Sequence, residues 1–423
     1  MFTKKSMSAA VLSMTAIVGC TNETETKQVS PVTEQDVKAN YISMAHAAYA
    51  DSLTTALTLQ QSIEALLAKP TEQNLENAKA AYKLARVPYQ QSEIMRWDTD
   101  ITLEAGLDKD GGLVSVDEWE GQVNAWPLDE QAIDYVQGNA NAGIINQVNG
   151  PEITAQYLID QNGVGGEANV TTGYHAIEFL LWGQDLNGTN PGAGERSVND
   201  FQTDASGQCS ASNCDRRRQY LSVATQLVVD DLKAMTAEWT EKAVMTEGTL
   251  ANNFNNSEDG IRYILFAMKA MATDELASAR MNEGLEGVDP EQEHDCFSDL
   301  SHVAIYYNHQ SVRNAFYGRY EKLDGSVVSG ASVSDLIKQK SPVLYKQFDD
   351  ALNSIETNMR AVYDAGEQAN PIRFDQIIGQ DENGKEKQAA LAAVYELVEL
   401  TSAFASVEEL LSIQALTLDG SGD

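Results

Sequence analysis

Basic side chains are scarce in this sequence: 29 Lys and Arg stand against 63 Asp and Glu in 423 residues, a formal net charge of −34. Nucleic-acid affinity rests largely on Lys and Arg neutralising phosphates, so nucleic acid is not an expected partner. Anionic membrane surfaces are disfavoured on the same ground. A field of this sign draws cations instead. Aromatics are few, at 7%, and prolines number 9. With little proline and recurrent Ala, Leu, Glu and Gln, the chain tilts to helix. The 43% hydrophobic content is too high for a disordered chain. Two familiar catalytic patterns are missing: no HExxH pair for a zinc peptidase and no Gly-x-Ser-x-Gly elbow for a serine hydrolase.

The first residues read as an address. Lys4 and Lys5 precede a short apolar stretch from Ser8 to Val18, too short to span a bilayer. It runs into Ile17-Val18-Gly19-Cys20, the pattern of a bacterial lipoprotein signal. The expectation is a signal peptide over 1–19, lipid on the Cys20 thiol, and a polar tether over 20–36. Thr21 follows the cysteine where an Asp would argue for inner-membrane retention. The expected location is therefore the cell envelope, at the outer membrane of a Gram-negative bacterium, with the lipid as the only membrane contact. Three further cysteines remain. Cys209 and Cys214 lie five apart in a Gly/Ser/Asn-rich loop without a nearby His, which favours a disulfide over a metal pair in an oxidising compartment. Cys296 is left as a buried free thiol.

Apolar residues then recur at helical spacing. Tyr41, Met44, Ala45, Ala48, Ala56 and Ile63 make one stripe. Thr71 can cap the next helix, within which Pro88 should introduce a kink. Further helices are expected over 258–286, 298–318, 341–365 and 387–413, with Ser341-Pro342 as a cap and first-turn pair. Short strands near Val114 or Val327 stay open. The polar stretch Asn187 to Asn213 marks the expected boundary between two lobes.

The sharpest local feature is Gly173-Tyr174-His175-Ala176-Ile177-Glu178 in an apolar run ending at Trp182. His175 and Glu178 are i and i+3 and share a helix face. A His and an acid in such surroundings must pair or bind something. An imidazole with a carboxylate suits Fe, Zn or Mn, and the same pair could equally tie two helices together.

Gly-x-His-x-x-Glu resembles the signature of the imelysin-like proteins, a family catalogued as peptidases. Four other segments match in order: Ala85-Arg86-Val87-Pro88-Tyr89 with Glu93; Asn124-Ala125-Trp126-Pro127-Leu128 with Ile133-Asp134-Tyr135; Glu275-Leu276-Ala277 with Arg280-Met281; and Cys296-Phe297-Ser298-Asp299 with His302. Asp295 departs from the pattern, standing where Ser is usual. The resemblance spans 37–415. It implies an all-α fold of two packed helical-bundle lobes, about 37–205 and 206–415, with the HxxE helix near their junction.

Two ligands are too few for a stable metal site. Glu93 is the first expected addition to His175 and Glu178, followed by Asp299 and His302, which repeat the i, i+3 spacing. Arg86, Arg96 and Arg280, with Ser298, would support the ligands or hold an anion; a buried ion-pair network is the plainer role for the arginines. His46, His294 and His309 have no partner at useful spacing and read as surface or packing residues.

The missing catalytic parts favour a binding protein over an enzyme: a lipid-tethered receptor for iron or an iron chelate, zinc being the second metal, working with envelope iron-uptake partners. A metallopeptidase is the alternative, and a structural envelope protein the third. For a metal site, affinity should fall as pH drops through the ordinary His pKa near ~6.5.

Overall fold

The computed structural model describes residues 30–96, 116–147 and 149–414. The expected signal peptide, Cys20 and most of the tether lie outside the described residues, as does the strand considered at Val114.

Eight principal helices carry the fold: α1 (Glu34–Ala68), α2 (Glu72–Ser92), α3 (Gly173–Trp182), α4 (Cys214–Glu238), α5 (Gly260–Ala270), α6 (Ser301–Tyr317), α7 (Pro342–Glu367) and α8 (Lys385–Leu411). Helix α5 runs on into a π-helical stretch, Met271–Asn282. The strand considered near Val327 exists, in a two-stranded hairpin that pairs Tyr320 with Val328. Among the described residues the fold is all-α apart from that hairpin.

Sequence chemistry sets the helix ends. The Thr33 side chain accepts from the Asp36 backbone, and Asp36 accepts from Thr33 N at 2.9 Å. This reciprocal cap starts α1 at Glu34, inside the segment expected to be tether. Thr71 and Ser341 cap α2 and α7 as expected, with Pro342 in the first turn of α7.

The helices fall into two groups. Helices α1, α2, α3 and α4 pack together; α6, α7, α8 and the π-helical stretch form the other. Helix α2 lies on α6, and α1 touches α5, so Val32–Asp423 is one compact unit. Helix α4 lies beyond the expected 205/206 boundary, yet it packs on α1 and α3 in the first group. The cause is apolar: Leu221, Ala224, Val228, Leu232 and Met235 are buried along its face. Helix α8 is long and apolar enough to cross a membrane, which the sequence reading overlooked. It packs on α7 and on the π-helical stretch, with Ala390, Ala393, Leu397 and Phe404 buried.

Cys209 and Cys214 are joined, with Cα atoms 5.9 Å apart. The free Cys296 is half-buried rather than fully buried. The disulfide ring closes over five residues of separation, so it restricts the unfolded chain little. Replacing both cysteines by Ser should cost about 2 kcal/mol or less in denaturant unfolding, and peptide mapping without reductant should join the two cysteine peptides.

Candidate metal centre

Helix α3 is buried along its whole length. Its motif glycine has a physical reason: Gly173 sits at φ +80°, and a Cβ there would collide with the Val123 carbonyl. Only glycine lets the helix start so close to that backbone.

One turn on, His175 Nδ1 lies 2.9 Å from Glu178 Oε2. Ser298 closes over the other carboxylate oxygen, donating from its backbone N at 3.0 Å and its hydroxyl at 2.6 Å. Tyr82 donates to Oε2 at 3.3 Å. Glu178 thus has every oxygen occupied. It holds the imidazole by Nδ1, and the ring's Nε2 has no partner among the described residues.

Facing His175 is a second imidazole. His294, taken from its sequence for a packing residue, has its ring 4.7 Å from that of His175, edge to face. Its Nδ1 lies 2.9 Å from Asp295 Oδ2, and its Nε2 is likewise without a partner. The two rings are each 1% exposed. His175, His294 and Asp295 bring one ligand atom apiece within 4.8 Å of one another. Asp295 is itself fixed by Arg86, whose Nε donates at 3.0 Å. Arg86 also binds Asn124 and lies over the Tyr174 ring. The residue that departs from the family pattern is therefore the one that bridges Arg86 and His294.

The other expected ligands go elsewhere. Glu93 accepts from Arg280 at 2.9 and 3.2 Å, from Asn308 at 2.6 Å and from Asn124 at 2.9 Å. Its oxygens are taken up by the bracing network, so it is not available as the third ligand. Arg280 and Arg96 share Glu275, at 2.9 and 2.6 Å, and Arg96 also holds Glu120 at 2.8 Å. These two arginines take the plainer of the roles foreseen for them. They join the π-helical stretch, which carries Glu275 and Arg280, to the end of α2. His302 pairs with Glu367 at 2.8 Å and with Arg373 at 2.9 Å. Asp299 groups with Glu293 and Asp375 rather than with His175. His309 is buried beside Glu356, and Trp126 packs on the His294 ring.

Electrostatics follow burial. Burial, with the Arg86 charge, holds the His175 ring down to about 3, so it is neutral at ordinary pH. Burial, with Arg280 and His175, likewise holds His294 well below the usual range. Burial and the Asp295 charge push Glu178 up to about 8, against the Ser298 hydrogen bonds. Burial would raise Glu93 too, but Arg280 prevails and holds it down to about 2.

The Glu93 pairing has a measurable consequence. Its folded pKa lies below the ordinary 4.5, so its stabilisation is complete above that value and is lost as pH falls towards about 2. Melting temperature should drop through this window in the wild type, and less steeply in Glu93→Gln. Arg280→Ala, which strands the buried carboxylate, should cost about 3–5 kcal/mol in denaturant unfolding.

With this geometry in view, comparison with known proteins is informative. A sequence model of the imelysin family matches residues 45–403. A crystal structure described as an iron-regulated protein A precursor, from Parabacteroides distasonis, superposes with a TM-score of 0.61 at 18% identity, covering 91% of this chain and 97% of that one. A crystal structure of an imelysin-like protein from Psychrobacter arcticum gives 0.56 at 13% identity, covering 91% and 99%. At such identities the likeness concerns the fold. No curated protein matches the chain. The family match spans most of the sequence and contains every residue of the centre: the chain belongs to the imelysin family.

Proposed function

We propose that this protein binds a transition-metal ion, iron first and zinc second, through His175 and His294, with Asp295 holding the His294 ring, as a lipid-anchored protein of the cell envelope. One observation carries the reading. Two buried imidazoles each have Nδ1 backed by a carboxylate at 2.9 Å, and each has an Nε2 with no partner. A buried polar nitrogen left unpaired is costly, and a metal ion would satisfy both at once. Imidazole nitrogens suit Fe or Zn. Iron is preferred because a protein of the same fold carries the name iron-regulated protein A. Rings only 1% exposed favour a bare ion over an intact chelate. The ion is cargo for envelope uptake partners. The peptidase reading is weaker, because Glu178, which would have to serve as the base, is already bonded to His175, Tyr82 and Ser298.

The pH dependence differs from the one expected at sequence level. His175 is already neutral near pH 6.5 and has no proton to lose. Glu178, pushed up to about 8, does. While protonated it donates to His175 Nδ1 and leaves hydrogen on Nε2; once ionised it accepts from Nδ1 and frees the Nε2 lone pair. Affinity for Fe(II) or Zn(II) should rise from pH 6 to 8 and then level off. Glu178→Gln should weaken binding about 10–100-fold and flatten that rise. Calorimetry on both proteins decides: equal binding, or none in either, would leave the structural reading. Hydrolysis of an unfolded protein that a chelator abolishes would favour the peptidase.

The anchor is tested separately. Cys20→Ala should move the protein from the membrane to the soluble envelope fraction on cell fractionation. Retention in the membrane would refute the lipid.

A further inference from the structure

The segment from Glu293 to Asp299 serves two places. His294, Asp295 and Ser298 face His175 and Glu178. Glu293 and Asp299 turn instead to Asp375, which stands in the first turn of a short helix, Phe374–Gly379. In this second group, too, one carboxylate oxygen from each residue lies within 4.8 Å of the others.

We propose that Glu293, Asp299 and Asp375 form a second cation site, for a hard divalent ion, Ca2+, which holds the Glu293–Asp299 segment against the Phe374–Gly379 helix. Clustered acids alone would not carry this. The independent observation is that their oxygens are both buried and unsatisfied. Glu293, Asp299 and Asp375 are 1%, 3% and 0% exposed. Glu293 Oε2, Asp299 Oδ1 and both oxygens of Asp375 have no hydrogen-bond partner among the described residues. That makes four buried acceptors without a well-formed hydrogen bond, the Asp375 carboxyl having only the backbone N–H groups of its own helix turn beside it, where nearly all such atoms in folded proteins are satisfied.

The repulsion points the same way. Three carboxylates this close cannot all stay ionised without a counter-charge. Asp185 adds a further negative charge facing Asp299 and Asp375. The basic group on the same side, Arg373, is taken up by His302 at 2.9 Å and Glu367 at 3.3 Å.

Ligand type and spacing select the ion. All donors are oxygen, which suits Ca2+, Mg2+ or Mn2+ rather than the softer metals. Ca2+ takes oxygens at about 2.3–2.6 Å, so two ligands on opposite sides of one ion stand up to roughly 5 Å apart; for Mg2+ the limit is nearer ~4.2 Å. Three protein carboxylates whose oxygens lie within 4.8 Å of one another favour Ca2+, whose shell is flexible, over Mg2+, which demands near-octahedral geometry and keeps most of its waters. Water can complete the shell, because Asp299 lines a surface cavity of about 690 Å³ together with Lys83, Asn370 and Arg373.

The test uses the full-length chain with CaCl2 as the probe. After dialysis against a chelator, wild type should bind one Ca2+ per chain by calorimetry and melt several degrees higher with Ca2+ in excess. Asp375→Asn should weaken Ca2+ binding at least about tenfold and lose most of the melting shift. Its metal-free form should melt no lower than wild type, since one repelling charge is gone. Asp299→Asn gives the same readout if Asp375→Asn fails to fold. His175→Ala, which disables only the imidazole centre, should leave the Ca2+ response intact, so this site and the transition-metal reading fail independently. Absence of a Ca2+ response in wild type, or an unchanged response in both asparagine variants, would overturn the proposal.

Discussion

Charge taken out of water must find a partner, and this constraint organises the middle of the molecule. Arg86, Arg96 and Arg280 are all buried, each against at least one carboxylate. Replacing one member strands the other at a cost of several kcal/mol, whereas an exposed pair contributes little. The network therefore fixes where α2, the π-helical stretch and the 293–299 segment meet, and the His175–His294 pair is assembled at that meeting. The same principle recurs around Asp134, which takes Arg196 at 2.8 Å and Arg217 at 2.6 Å and so ties the loop after Trp126 to the start of α4.

Within this network a few atoms are left over, and they point to function. Glu93, Asp295 and Glu178 are fully engaged, yet the Nε2 atoms of His175 and His294 are not. Each imidazole has its far side fixed by an acid and its near side open. The arrangement resembles a pair of ligands whose orientation has been set in advance, with the acids acting through the rings.

Much of this was legible in the sequence. Helical periodicity and the scarcity of proline tilted the chain to helix, the family resemblance implied the all-α class, and the i, i+3 spacing put His175 and Glu178 on one face. What stayed hidden depended on contacts remote in sequence. Glu93 was the right chemical type for a ligand, but Arg280, 187 residues away, engages it. His294 lies in an irregular stretch with no periodicity to announce its direction. A signal did exist: His294 sits two residues before the Cys296-Phe297-Ser298-Asp299 segment, next to the aspartate that departs from the family pattern. The packing of α4 was hidden for a similar reason. A polar loop ends at Asn213, but the apolar face of α4 returns to α1 and α3.

The central claim is that His175 and His294 offer their Nε2 atoms to one metal ion. X-ray absorption at the iron edge, on full-length protein loaded with one equivalent of Fe(II), measures the coordination shell directly. The account predicts two imidazole ligands in wild type and one in His294→Ala, with the helical circular dichroism unchanged. An oxygen-only shell, or a wild-type spectrum that His294→Ala leaves unaltered, would contradict it.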